Sequence, residues 1–398
     1  MGSSPEFKGE RAMKGIRKKV LRLRNRLYKA IMALIGKLWP MDRRKVVFDS
    51  FGGHAYSDNP RAVCDALLEI SPHITPVWLF TRPEKERQDM PDRVKPVRAH
   101  SLAAVWHMAT AGAWVLNGLM PHYAVKRKGQ LYVQTWHGDR MFKVCLHNSG
   151  KHGLPDADAM DFAVIGSDQG EMFFRTAFRY EGELLRVGSP RNDRLMAPLP
   201  GEPEKLRQRL GLEMDWGVAL YAPTMREHLG HTKEKQDIGS LDFVRVLDLL
   251  EQKEGRPWRL LLRAHSTVSG LTGYQSDPRI LDVSGYEDMR DLMIVADLLM
   301  TDYSSCACDF PLTGKPVVLF QPDLQQYQEL DRKLYFKISD SPYWAASDQA
   351  GLESFLLDMD EEKARANSRA VLDFFGTDES GRAAAQVATR IAAHLEKD

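Results

Sequence analysis

ADLLMTDYSSCACDFPLTGKP, residues 296–316, puts an apolar strand end (Leu298–Met300) before a tight polar turn (Thr301–Ser305) and a short helix entered at Ser304 or Ser305. A helix start leaves backbone N–H groups without intrahelical partners and turns the positive end of its dipole toward the preceding loop. Two serine hydroxyls stand at the same place. The combination suits an anion, most simply the phosphates of a nucleotide. Asp302 would orient the loop or a hydroxyl. Pro311 falls inside the expected helix, where it should kink or shorten it.

Outward from this turn the chain alternates short apolar runs with helical patterns. Downstream of the Pro/Gly/Glu-rich stretch 198–204, strands are expected at Gly217–Tyr221, Arg259–Arg263, Ile280–Asp282, Leu298–Thr301 and Val317–Phe320. Upstream they are expected at Lys45–Ser50, Thr75–Phe80, Trp114–Asn117, Leu131–Gln134, Phe162–Ile165 and Leu184–Val187. Helical patterns such as Pro60–Ile70, Ser101–Ala111, Ser240–Glu251 and Met289–Ala296 fit between or beside them. Such alternation predicts parallel sheets with crossover helices. The expected fold class is α/β, with two Rossmann-like doubly wound domains, 41–197 and 198–375. The segment 376–398 carries a last helix, about Ser380–Glu396, that could cross back to the first domain. Ligands of such sheets bind beyond the carboxyl ends of the strands, so polar residues at strand ends are the informative ones.

At 43% hydrophobic and 27% charged, 398 residues make a globular chain long enough for two cores. The net charge of +1 hides an asymmetry. Residues 1–40 carry +9 and the remainder −8, so the basic character belongs to an N-terminal arm and not to the folded body. In that arm Ile16, Val20, Leu23, Leu27, Ile31, Leu34 and Leu38 form one helical stripe, with Arg22, Arg26 and Lys29 off it and Lys18 and Lys19 nearby. A basic amphipathic helix over 11–40, ending at Trp39-Pro40, suits an anionic membrane surface. The rival is a helix packed on its own domain with a solvated basic face. No apolar run is long enough to span a bilayer, and no signal-peptide pattern is present. The four cysteines lack metal-ligand spacing, which favours a reducing compartment and no metal site. The basic residues form one helix without an interleaved aromatic face, which argues against nucleic acid as a partner.

Strand Leu131–Gln134 runs into Thr135-Trp136-His137-Gly138-Asp139, with Lys143 close behind. A histidine at a strand end is well placed for proton transfer near neutral pH. Strand Arg259–Arg263 runs into Ala264-His265-Ser266, where Arg263 and His265 could both meet phosphate. Gly188-Ser189-Pro190-Arg191-Asn192-Asp193 is a tight polar turn after another strand. Arg226, after Tyr221-Ala222-Pro223-Thr224-Met225, is a phosphate or base contact candidate. Each of these also has a structural reading: a satisfied histidine, a plain turn, a simple helix cap.

Together the blocks QTWHGDRMFK (134–143), GSPRNDRL (188–195), YAPTMRE (221–227), RAHS (263–266) and 296–327 resemble the CDP-glycerol glycerophosphotransferase family of teichoic acid and capsule synthesis, over roughly 45–375. The resemblance implies a GT-B-like enzyme, peripheral on the cytoplasmic face of a bacterial membrane. Such an enzyme moves an alditol phosphate from a CDP-alditol such as CDP-glycerol to a hydroxyl of a prenyl-diphosphate-linked saccharide, releasing CMP. It implies His137 as catalytic base and His265 as a second essential histidine near the donor phosphates. Arg226, Ser304 and Ser305 become donor-binding positions, joined by Arg263 and Asp302. Trp136, Asp139, Lys143, Arg191, Asn192 and Asp193 are the acceptor or cleft candidates. No cofactor is required, although magnesium could assist a donor diphosphate. A GT-B glycosyltransferase using a nucleotide sugar, and a non-catalytic membrane-docked nucleotide-binding protein, are the alternatives.

Overall fold

A computed structural model describes residues 5–85, 90–144, 153–226, 228, 241–264 and 277–397. Two parallel sheets carry the chain. The first has seven strands in the order β3-β2-β1-β4-β5-β6-β7. These are β1 (Asp42–Asp49), β2 (Thr75–Phe80), β3 (Lys95–Arg98), β4 (Ala111–Leu116), β5 (Leu131–Gln134), β6 (Phe162–Ile165) and β7 (Glu183–Arg186). The second has six in the order β10-β9-β8-β11-β12-β13. They are β8 (Gly217–Tyr221), β9 (Trp258–Leu262), β10 (Ile280–Asp282), β11 (Leu298–Thr301), β12 (Val317–Phe320) and β13 (Trp344–Ala346). Both orders reverse beside their first strand, at β1/β4 and at β8/β11. That reversal is the switch point at which doubly wound sheets open toward ligands.

Thirteen helices accompany the sheets among the described residues: α1 (Pro5–Leu38), α2 (Asp58–Ile70), α3 (Leu102–Thr110), α4 (Asp168–Thr176), α5 (Asp193–Met196), α6 (Glu202–Arg209), α7 (Phe243–Glu254), α8 (Met289–Val295), α9 (Cys306–Asp309), α10 (Leu324–Leu330), α11 (Gln349–Asp358), α12 (Glu361–Phe374) and α13 (Ala383–Leu395). Local chemistry sets several ends. Ser101, Ser167, Asp242 and Asp288 cap helix starts by accepting from backbone N–H groups one or two residues into the helix. Gly255 closes α7 at φ +68°, the left-handed conformation glycine adopts without steric cost.

Strands buried on both faces read as unbroken apolar runs, which is why they were legible. In the second sheet, Val218, Leu220, Leu299 and Leu319 face one core and Ala219, Tyr221, Met300 and Phe320 face the other. The edge strands β3 and β13 escaped the reading. Lys95–Arg98 is four residues with one fully buried position, and Trp344–Ala346 only three. Helix α6 occupies part of the stretch expected to be a linker.

By contacts the chain divides into one unit of 1–137, 154–164 and 384–398 and another of 138–153 and 165–383. This differs from the expected division at 197/198. Segment 188–196 packs with α8 and with the turn after α9, so its contacts lie with the second unit. Residues 384–398 cluster with the first unit, where His394 bonds to Arg43 and Gly129.

Helix α1 forms, and most of its leucine stripe does not pack on the body, contrary to the rival reading of a domain-packed helix. Met32 and Ile35 are buried, and Tyr28 meets Tyr123 edge-on at 5.5 Å. Val20, Leu23, Leu27, Leu34 and Leu38 are exposed, each by more than half. Trp39 meets Trp106 of α3 edge-on at 5.3 Å, and both remain partly exposed. Helix α1 therefore carries three faces: one packed, one basic and one apolar in solvent. Met32→Ala should cost about 2 kcal/mol or more in chemical denaturation, whereas Leu27→Ser should change stability by no more than about 0.5 kcal/mol.

Candidate functional site

In the first unit, β5 delivers Gln134-Thr135-Trp136-His137. His137 is exposed, and its Nδ1 lies 2.6 Å from the backbone oxygen of Asn117, just beyond β4. A carbonyl oxygen only accepts, so Nδ1 carries a proton; in the neutral ring the lone pair is then on Nε2. This is the form a general base requires. Phe51 meets the ring edge-on at 5.6 Å and Trp136 stacks against it at 4.5 Å.

The backbone here is strained. Trp136 sits at φ +47°, Phe51 at +51° and Asp58 at +66°, three of the five non-glycine residues with positive φ among the described residues. Each such position costs about 1–3 kcal/mol and persists only where its surroundings hold it. Around Trp136 they do. Asn59 Nδ2 donates to the carbonyls of Thr135 (3.1 Å) and Trp136 (2.9 Å), and the Trp136 N–H donates to Gln134 Oε1 at 2.9 Å. Gln134 is held by Tyr132 and Gly118, and the Tyr132 hydroxyl donates to Asp156. Asn117 Oδ1 accepts from the Phe51 N–H at 2.7 Å, and its Nδ2 donates to Ser50 Oγ and Asp58 Oδ1, both at 3.1 Å. Sequence reasoning missed Asn59, Asn117 and Asp58. Their signal was position alone: Asn117 follows an apolar strand, and Asp58-Asn59 open a helix. At the end of β1, burial pushes the Asp49 carboxyl up to about 7 against the N–H groups of Gly53 and Gly52.

In the second unit the loops after β8 and β11 close on each other. Asp302 is buried; its Oδ1 accepts from the Thr224 N–H at 2.8 Å and its Oδ2 from Arg226 Nη1 at 2.8 Å. Arg226 also meets Asp323 through Nε at 2.6 Å and Nη2 at 3.1 Å, and lies 5.1 Å from the ring centres of both Tyr303 and Tyr327. Burial works against its charge, but the two carboxylates outweigh it and raise its pKa. Asp302 thus orients the loop, and Arg226 is engaged with carboxylates on two sides.

The helix after this turn is shorter than expected. Helix α9 has four residues and passes into a 3-10 turn with Pro311 near its start, and the Ser305 side chain makes no cap bond. The dipole argument shrinks accordingly, because the macrodipole grows with aligned peptides. What remains at the turn is two half-buried hydroxyls, Ser304 and Ser305. Arg263 donates to the carbonyls of Tyr286 (3.0 Å) and Glu287 (3.3 Å), and burial lowers its pKa. His265 lies outside the described residues.

The remaining candidates go inward. Asp139 is buried and accepts the Gly166 N–H at 2.9 Å. Its neighbour Arg140, fully buried, donates through Nη2 to Asp309 (2.9 Å) and Glu379 (2.8 Å). Arg191 donates to Asp309 at 2.9 Å, and Asn192 donates to Asp309 and Glu379, both at 3.0 Å. Asp193 accepts the Ala383 N–H at 2.9 Å, and Lys143 forms an isolated bridge with Leu334. The 188–193 turn is thus a buried brace inside its own unit. Among the described residues no group of three or more His, Cys, Asp or Glu is arranged to hold a metal.

Two Rossmann-like parallel sheets with polar clusters at their switch points give the chain a GT-B-like fold. The family model for CDP-Glycerol:Poly(glycerophosphate) glycerophosphotransferase matches residues 31–393, and the chain belongs to that family. It is 32% identical over 331 residues to a teichoic acid poly(glycerol phosphate) polymerase of Bacillus spizizenii, covering 78% of this chain and 82% of that protein. It is 31% identical to the protein of the same description from Bacillus subtilis, covering 80% of this chain but only 44% of that longer protein. Its fold superposes on the wall teichoic acid polymerase TagF with a TM-score of 0.79 at 26% identity, over 99% of both chains. TagF has also been solved after a soak with CDPG. The chain is thus an enzyme, a CDP-glycerol glycerophosphotransferase of teichoic acid synthesis.

The brace makes a pH prediction. Burial pushes Glu379 from 4.5 up to about 7 against the pull of Arg140, while Asp309, despite its burial, is held at about 2 by Arg191 and Arg140. A carboxyl raised on folding adds stability that is complete below the unfolded value and is lost as pH rises through the folded one. Wild-type stability relative to Glu379→Gln should therefore fall between pH 4.5 and about 7. Urea midpoints across that range measure it; parallel curves would refute the assignment. Arg140→Met should cost about 3–5 kcal/mol at pH 7.5.

Proposed function

We propose that the chain adds glycerol phosphate, or a closely related alditol phosphate, to a hydroxyl of a prenyl-diphosphate-linked saccharide at an anionic membrane surface. The acceptor oxygen attacks the β-phosphorus of CDP-glycerol. Its proton passes to His137 Nε2, and the bond from that phosphorus to the bridging oxygen breaks, so the oxygen leaves with CMP. The observation that carries this reading is the 2.6 Å contact of His137 Nδ1 with a carbonyl, which puts a proton on Nδ1 of a histidine at a strand end. Displacement at phosphorus depends chiefly on positioning and on charge stabilisation. We assign the donor phosphates to the Ser304–Ser305 turn, with His265 and Arg263 supplying positive charge. Arg226, paired to Asp302 and Asp323, shapes the loop beside them. The chemistry assigns the chain no resident cofactor; a divalent ion would arrive with the donor diphosphate.

Attachment is assigned to α1. No described helix is long and apolar enough to cross a membrane. The exposed leucines of α1 beside its basic face suit a helix lying in the plane of the interface.

His137→Ala should lower kcat by about 10²–10⁴-fold while leaving CDP-glycerol affinity within about threefold. CMP release with a synthetic prenyl-diphosphate disaccharide reads the first, and calorimetry the second. Near-wild-type turnover would remove the base assignment, and release of UDP from a nucleotide sugar instead would overturn the donor. Ser304→Ala with Ser305→Ala should weaken donor binding about tenfold, the equivalent of one or two lost hydrogen bonds. For the membrane, Leu23→Ser with Leu27→Ser and Leu34→Ser should reduce cosedimentation with phosphatidylglycerol-containing vesicles by at least about tenfold, each leucine contributing about 1.5–3 kcal/mol when buried. Unchanged sedimentation would exclude this face of α1.

A further inference from the structure

We propose that Asn117, Asn59 and Asp58 are positioning residues that hold His137 in its Nδ1–H tautomer. The proposal rests on the reading of His137 as the base. It extends that reading to three residues that touch no reacting atom.

The partner of His137 Nδ1 is a backbone carbonyl, so no side chain can be removed to delete that bond. What can be removed is the set of contacts that aims the carbonyl. Asn117 is completely buried, and its amide joins three segments: Phe51 N–H and Ser50 Oγ at the end of β1, and Asp58 Oδ1 at the start of α2. Only an amide can do this, because the position needs an acceptor for Phe51 and donors for Ser50 and Asp58 at once. Asn59, also buried, holds the other side of the ring's attachment through the carbonyls of Thr135 and Trp136. The two asparagines thus grip the histidine from its ring nitrogen and from its backbone. Phe51 and Asp58 meet Asn117 at positive φ, so the loops depart from easy backbone geometry where they contact it.

Asn117→Asp keeps the shape, loses both donors and sets a carboxylate against Asp58. It should lower kcat about 100-fold, the scale of a misplaced catalytic group, with the KM for CDP-glycerol within about twofold. In ¹⁵N-histidine spectra His137 should lose its dominant Nδ1–H signature. The double variant Asp58→Asn with Asn117→Asp restores a donor–acceptor pair in reversed order and should recover at least tenfold of the lost kcat. If Asn117→Asp does not fold, Asn59→Ser carries the test through the same kcat and tautomer readouts. A kcat within twofold of wild type, or an unchanged His137 tautomer, overturns the proposal. The tautomer is read without turnover, so it separates this inference from the base assignment. Full activity in His137→Ala would sink the base assignment, whatever the spectra of Asn117→Asp show.

Discussion

Arg140 is a guanidinium removed entirely from water, and much of the second unit is arranged around that fact. Desolvating a charge is expensive unless partners with good geometry answer it. Its partners here come from far along the chain: Asp309 from α9 and Glu379 from the loop before α13. Arg191 and Asn192 complete the set and draw in the turn after β7. The cluster therefore fixes four segments at once, and removing one member would strand the others. A buried ionic cluster is weak evidence for net stability, since an apolar core of equal volume would do as well or better. Its value is in specifying register. Four segments converge on one pair of carboxylates, Asp309 and Glu379, through Arg140, Arg191 and Asn192.

The segment that supplies Arg140 also supplies His137, three residues earlier, and the two ends of that short motif behave oppositely. His137 is exposed and its backbone neighbour Trp136 is strained, while Asp139 and Arg140 are buried and fully committed to structure. Strain of this kind has to be over-determined by contacts, and the amides of Asn59 and Gln134 do that for Trp136. The motif thus joins an exposed imidazole at one end to buried anchors at the other. The exposed ring is held through its Nδ1 by the carbonyl of the buried Asn117.

What the sequence disclosed follows from this division. Most strands were legible to within a residue, because a strand buried on both faces must be apolar throughout; β1 and β4 each begin three residues earlier than expected, β1 in the charged Asp42-Arg43-Arg44 and β4 directly after α3. Of the four edge strands, β7 and β10 were anticipated and β3 and β13 were not; Lys95–Arg98 has a charge at each end and a proline in place of an apolar run. His137 and Asp302 stood out because polar residues stop apolar strands at their carboxyl ends. Asp139, Arg191 and Asn192 looked like site residues for the same reason, yet they point inward. A charge at a strand end answers either a ligand or another buried charge, and only the distant Asp309 and Glu379 decide which. Asn117 and Asn59 were passed over because an asparagine's several simultaneous bonds are invisible until the third dimension brings its partners together.

Helix α1 shows the same limit in another form. Periodicity found its apolar stripe and its basic face correctly, and could not say which face the body takes. The body takes neither. It holds the helix through Met32, Ile35 and Tyr28, and the leucine stripe stays in water. A row of half-exposed leucines would be unfavourable on a helix meant only for solvent, since each forgoes about 1.5–3 kcal/mol of burial. The cost is explained if a second apolar phase is present for part of the protein's life. The basic residues on the adjoining face then have a matching role. On a helix lying in an interface they would face lipid phosphates, and electrostatic attraction would add to the apolar term without requiring the chain to cross the bilayer.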